Sequence, residues 1–286
     1  MRASSLVTKI ESEDPTIQLA VLIDADNAQA AIIENLLAEI ARFGEAIVKR
    51  IYGDFTSPKS AAWRRVLQRY AIKPMQQYAY TVGKNATDSA LIIDAMDLLY
   101  SGRFGGFCLV TSDSDFTGLA VRLREEGLKV YGFGEKKTPE AFRNACNKFI
   151  FTELLRGEER PEPPPSPAKA GAEGKAAAGR KSSRAAALPA AGGRAAETLA
   201  AEVAPPFPTA FLLKALEQAS EENGWAQLGT FANYLNKLKP DFDSRLYGFK
   251  KLSDLIRKKS DLFETREENI AGTNNKVLYL RAVPGK

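Results

Sequence analysis

At 286 residues the chain is long enough for roughly two domains, and its 44% apolar and 26% charged residues match ordinary soluble globular proteins. Its net charge is only +5 and it contains no histidine, which excludes Ser-His-Asp and Cys-His nucleophile pairs, histidine acid–base catalysis and nearly all catalytic zinc sites. Any chemistry must come from carboxylates, lysine, hydroxyls or a cation held by oxygen.

Two cysteines, Cys108 and Cys146, lack the paired spacing of a zinc site or a disulfide framework. No apolar run approaches the roughly 18 residues of a membrane span, and MRASSLVTKIESEDP lacks the apolar stretch of a secretory signal. The expectation is a cytoplasmic protein with no membrane partner.

In chain order, IQLAVLI (17–23) is a continuous apolar strand ending at Asp24, and AQAAIIENLLAEIARF (28–43) is helix-periodic, ending before Gly44. AIVKRIYG (46–53) reads as a second strand, followed by a helix over 58–70, a short strand near 71–76 and the loop TVGKNA (81–86). DSALIIDAMDLLY (88–100) is a helix, GFCLVTS (106–112) a buried strand, DFTGLAVRLREEG (115–127) a helix and LKVYGFG (128–134) another strand. Thr138-Pro139 has the form of a helix N-cap followed by proline at the first helical position. Strands alternating with helices imply an α/β domain over 15–156, its parallel sheet covered on both faces.

Residues 157–206 contain no aromatic residue and few large aliphatic ones, so they cannot bury enough apolar area to offset their ordering entropy. They are expected to form a disordered linker between two separately folding modules. The module at 207–286 reads as helices at 209–222 (capped by Thr209), 229–238 and 248–259, then strands at 262–267 and 276–281, a small winged helix-turn-helix pattern. It carries a net +3, against +1 for 1–156 and +1 for the linker. Lys250, Lys251, Arg257, Lys258 and Lys259, assigned to the third helix, and Tyr247 and Phe249, read as exposed loop aromatics, are its candidate nucleic-acid contacts, the alternative for the basic cluster being a solvated helix face.

In a parallel α/β sheet the ligand crevice lies beyond the carboxyl ends of the strands. Asp24 follows the first strand, Asp113 and Asp115 follow FCLVTS, and Asp88 opens a helix after the Gly-Lys-Asn loop, where it can face the same edge. Four carboxylates converging there would repel one another unless protonated or neutralised by a cation. All-oxygen ligands favour Mg²⁺ or Mn²⁺, and the chemistry such a site supports is phosphodiester hydrolysis. Asn27, Ser112 and Lys84, neighbours of these acids, are candidates for positioning substrate. Alternatively, Asp26, Asn27, Asp88, Asp113 and Asp115 could serve as helix caps or first-turn acids. Asp94 and Asp97 form a narrow polar stripe read as a solvated helix face, with Asp94 a reserve ligand.

VLIDADN (21–27), GKNATDSALIIDA (83–95) and LVTSDSDF (109–116), in this order, resemble the NYN domain of the PIN-like nucleases, bacterial LabA/DUF88 branch. The resemblance implies a Mg²⁺- or Mn²⁺-dependent ribonuclease, with Asp24, Asp88, Asp113 and Asp115 as the acids and Asn27 beside them. Ala25 departs from the family's usual glycine and adds a methyl group next to the site. LYGFKKLSDLIRKKSDLF (246–263) resembles the OST-HTH or LOTUS domain, which implies RNA binding, single-stranded or structured, although some members bind protein partners. The expected function is a metal-dependent endoribonuclease. The alternatives are an inactive RNA-binding adaptor and a phosphatase of the haloacid dehalogenase kind. Asp24-Ala25-Asp26 matches the latter's nucleophile motif superficially, but Asn27-Ala28 lacks its hydroxyl.

Overall fold

The structure is a computed structural model describing residues 16–56, 60–78, 86–156, 206–221, 223–269 and 276–283. Its larger module is built on six strands: β1 (Gln18–Asp24), β2 (Glu45–Gly53), β3 (Lys73–Gln76), β4 (Gly106–Val110), β5 (Lys129–Gly134) and β6 (Lys148–Phe151). All pair in parallel, in the order β3-β2-β1-β4-β5-β6. β1 is buried from Leu19 onward and β4 throughout, as expected for central strands covered on both faces. One face packs Ala20, Leu22, Phe107 and Leu109 beneath Leu91, Ala95 and Leu98. The other packs Val21, Ile23, Cys108 and Val110 against Ile33, Leu36, Ile40 and Trp63.

The helices are α1 (Ile33–Ile40), α2 (Ala61–Leu67), α3 (Ala86–Tyr100), α4 (Thr117–Glu125) and α5 (Glu140–Ala145). Short 3-10 turns at Ala30–Ile32 and Ser114–Phe116 replace the first turns of two predicted helices. Pro139 is the residue preceding α5 rather than its first residue, and Thr138, predicted to cap it, instead donates its hydroxyl to the Glu135 carbonyl. β6 was not anticipated. The predicted loop is outside the described residues at 81–85, as is the predicted linker over 157–205.

The C-terminal module comprises α6 (Thr209–Ala219), β7 (Ala226–Gln227), α7 (Leu228–Leu238), α8 (Leu252–Lys258), β8 (Phe263–Asn269) and β9 (Lys276–Ala282). β9 lies between β7 and β8 in an antiparallel sheet. Leu212, Leu216, Phe231, Leu235, Leu255, Ile256 and Leu280 form its core. Thr209 is the first residue of α6 and makes no cap, correcting the expectation. The predicted helix 248–259 begins only at Leu252, because Gly248 takes φ +82°, a left-handed conformation that ends the preceding 3-10 turn.

The described residues on either side of 157–205 belong to one compact unit. The amide of Phe149 on edge strand β6 donates to the Pro240 carbonyl, 3.0 Å away. Arg143 pairs with Asp241, and Arg245 with Glu39 at 3.1 Å. The Lys148 ammonium donates to Asn236 Oδ1 (2.8 Å) and the Phe242 carbonyl (2.7 Å). An exposed strand edge is thereby covered. Because α1 runs back against β1 and Lys148 opens β6, this seam lies at the amino-terminal pole of the sheet.

Candidate active site

The strand order reverses between β1 and β4, which opens a crevice at their carboxyl ends. Asp24 closes β1 at that edge and is only 1% exposed. An ionised carboxylate at such a position needs donors, and three are present. Asn27 Nδ2 donates to Asp24 Oδ2 at 2.7 Å, Thr111 Oγ1 to Oδ2 at 3.0 Å, and the Asp26 amide to Oδ1 at 3.0 Å. Burial nevertheless dominates and pushes the Asp24 carboxyl above its ordinary range.

Asp88, Asp113 and Asp115 each offer a carboxylate oxygen within 4.8 Å of the others. Asp88 sits in the first turn of α3. Asp113 is the cap of the turn after β4, accepting from the Asp115 amide at 2.9 Å while its own amide donates to Thr111 Oγ1. Capping and clustering are therefore roles of the same residue. Burial, then the neighbouring charges of Asp24, Asp113, Asp115 and Asp26, push the Asp88 carboxyl up to about 6. Thr111 links Asp24 to the triad, since its hydroxyl donates to Asp24 and accepts from the Asp113 amide.

The donor set fits a hard divalent cation, since three carboxylates of one sign gather on oxygen atoms alone. Among the predicted positioning residues, Asn27 holds Asp24, and the buried Ser112 hydroxyl accepts from the Glu135 amide at 2.9 Å. Lys84 lies outside the described residues. The methyl of Ala25 packs toward Gly53 on β2, where a Cβ would come within 2.8 Å of it, and Ala25 joins the apolar cluster on that face.

Two assignments are corrected. Asp94 is not on a solvated face: the Arg50 guanidinium and the Tyr52 hydroxyl both donate to its carboxylate, anchoring α3 to β2. Tyr247 and Phe249 are not free loop aromatics, because both pack against the C-terminal core, with the Tyr247 ring 5.4 Å from Phe207 and 6.0 Å from Phe242. Thr111 is the residue that sequence reasoning missed. Its position within the LVTSDSDF block was its only signal.

Of the predicted basic cluster, only Arg257 and Lys258 lie within α8. Arg257 pairs with Glu267 at 2.5 Å, and the Lys259 ammonium lies 4.5 Å from the centre of the Phe207 ring. Lys250 and Lys251 precede the helix and line a cleft of about 510 Å³ at the seam, with Arg42, Phe43 and Arg245.

A six-stranded parallel sheet in this order, flanked by helices and carrying an acidic cluster near the carboxyl ends of its central strands, is consistent with the PIN-like class of α/β domains. Residues 18–155 match the NYN domain and residues 205–274 the OST-HTH/LOTUS domain. The chain is an NYN-domain protein with a C-terminal OST-HTH/LOTUS domain, an architecture that supports an RNA-related nuclease.

An uncharacterised Nitrosomonas europaea protein solved by NMR is 52% identical over 34% of this chain and 91% of its own, with a TM-score of 0.28. A Vibrio parahaemolyticus protein of unknown function is 20% identical over 48% of this chain and 93% of its own, with a TM-score of 0.40. A Chromobacterium violaceum fragment is 25% identical over 28% and 84%, with a TM-score of 0.23. No curated protein matches the chain. Among the described residues no helix is long and apolar enough to cross a membrane.

Proposed function

We propose that the protein is a metal-dependent endoribonuclease that hydrolyses RNA phosphodiester bonds in the acidic crevice, with RNA recruited by the OST-HTH/LOTUS domain. The observation that carries this reading is the convergence of Asp88, Asp113 and Asp115 within 4.8 Å beside the buried Asp24. Asp88, Asp113 and Asp115 would hold Mg²⁺ or Mn²⁺, with Asp24 adding negative charge from below. A bound divalent ion supplies activation of the attacking water and stabilisation of charge on the phosphate and leaving oxygens.

The chain's own contribution is orientation. Asn27, Thr111 and the Asp26 amide keep Asp24 fixed, Thr111 also receives the Asp113 amide, and the Asp94 anchor keeps α3, and so Asp88, against the sheet. Asp24 is poorly suited to be a phosphatase nucleophile, since it is almost wholly buried and both its oxygens accept hydrogen bonds.

The test is incubation with end-labelled single-stranded and structured RNAs in Mg²⁺, Mn²⁺ or excess chelator, beside Asp113→Asn. Metal-dependent internal cleavage lost in the variant supports the proposal. Cleavage that persists in chelator refutes the metal, and RNA binding without cleavage under every condition favours an inactive adaptor.

A further inference from the structure

The outer face of the small β7-β9-β8 sheet carries an unusual set of planar side chains. Leu278 and Leu280 of β9 and Ala226 of β7 point into the core, so alternation sends Tyr279 and Arg281 outward. Arg266 lies directly across from Tyr279 on β8, and Glu264 across from Arg281. Ala226 is opposite Leu280, which sets Trp225, one residue earlier, beside Arg281. The guanidinium carbons of Arg266 and Arg281 each lie 4.7 Å from the centre of the Trp225 ring, and that of Arg266 also lies 5.7 Å from the Tyr279 ring.

Each arginine is held from the side by a carboxylate. Arg266 pairs with Glu268 at 2.8 Å and Arg281 with Glu264 at 2.7 Å. A guanidinium bonded through its edge keeps its flat faces for stacking. The result is a Tyr279–Arg266–Trp225–Arg281 array, partly exposed and without net charge once its carboxylate partners are counted. A surface of aromatic and guanidinium planes is what unpaired nucleobases stack on, whatever their identity.

From this array we infer that the outer face of the β7-β9-β8 sheet is a stacking platform for unpaired bases of single-stranded RNA, separate from the lysines around α8. This rests on the reading of the protein as RNA-binding but not on its cutting RNA. Stacking and phosphate binding differ in their response to salt. The lysines release counterions when they bind phosphate, whereas the carboxylate-paired array does not. Loss of the platform therefore lowers affinity at every salt concentration and leaves the slope unchanged.

The full chain in excess chelator, where cleavage is suppressed, is titrated with a 12-mer oligouridylate, a 12-mer oligoadenylate and a duplex of the two. The chain has two tryptophans, and Trp63 is 4% exposed in the nuclease core, so a change in emission on binding reports Trp225. Both single strands are expected to quench that emission, and the duplex, whose bases already stack on each other, is not. Trp225→Leu, which keeps an apolar side chain there, is expected to weaken single-strand binding about ten-fold with an unaltered salt slope.

Tyr279→Leu provides a second variant should Trp225→Leu fold poorly by circular dichroism. Unquenched wild-type emission on RNA binding, absence of single-strand binding, or wild-type affinity in a folded variant overturns the inference. Failure to cleave RNA in Mn²⁺ would overturn the nuclease reading and leave this one standing.

Discussion

Asp88→Asn isolates the electrostatic tension of the crevice. In the ion-free protein the Asp88 carboxyl is pushed from 3.8 up to about 6, first by burial and then by Asp24, Asp113, Asp115 and Asp26. That shift of roughly two units corresponds to a ceiling of about 3 kcal/mol. Asp88 is only half-buried, so solvent screening reduces the expected gain on neutralising it to about 1 kcal/mol. For a domain of this size that is a rise in Tm of about 3 °C.

The pH dependence has a definite sign. Because the folded value is the higher one, the native state holds a proton between about pH 4 and 6 that the unfolded chain has released. The contribution of Asp88 to stability is therefore fully present below the unfolded value and is lost as pH rises through about 6. In chelator, Asp88→Asn should melt above wild type at pH 7.5 and with it at pH 3.5, the gap opening across the interval between. Saturating Mn²⁺ should reverse the order, since only the wild-type cluster gains the full binding free energy. Differential scanning fluorimetry across pH measures all three. A variant less stable than wild type in chelator at pH 7.5, or a gap that does not close in acid, would refute the reasoning.

Asp94→Ala should lower stability by about 2 kcal/mol in urea titrations, because it strips the acceptor from both Arg50 and the buried Tyr52 hydroxyl; an unchanged midpoint would deny the anchor. Replacing Lys250, Lys251, Lys258 and Lys259 with Ala should reduce the salt dependence of log K for single-stranded RNA by about 0.7 per lost phosphate contact. The maximal cleavage rate should stay near wild type, since those lysines supply binding that does not change in the transition state. Fluorescence anisotropy over a salt series and single-turnover kinetics separate the two.

The parts of the fold that could be read in advance are those where one segment carries its own signal. β1 and β4 are apolar runs, the first closing on Asp24 and the second followed by Thr111, Ser112 and Asp113, a pattern that signals both their burial and the edge on which the acids lie. β6 is only Lys148–Phe151 and follows α5 after two residues, too short for any periodicity to stand out. The helix predicted over 248–259 failed at Gly248, whose left-handed backbone satisfies a turn that composition cannot reveal.

The missed features of the site are long-range. Thr111 reaches Asp24 across 87 residues, and Asp94 finds Arg50 and Tyr52 on a strand more than 40 residues earlier. Helical periodicity set Asp94 apart from Asp88 on the helix but could not say that β2 would offer it a cation and a hydroxyl. Tyr247 likewise stands beside basic residues in sequence, yet spends its ring on Phe207 and Phe242.

The central claim is that the crevice of Asp24, Asp88, Asp113 and Asp115 cuts RNA internally with the help of a divalent ion. A covalently closed circular single-stranded RNA has no end for an exonuclease to use, so its conversion to a linear product reports internal hydrolysis alone. The account predicts that the wild-type protein linearises the circle in Mn²⁺ or Mg²⁺, does nothing in excess chelator, and loses roughly a hundredfold or more of its rate in Asp113→Asn, because a neutral amide is a poorer ligand for a hard cation. An intact circle in Mn²⁺, or equal linearisation by wild type and Asp113→Asn, would contradict it.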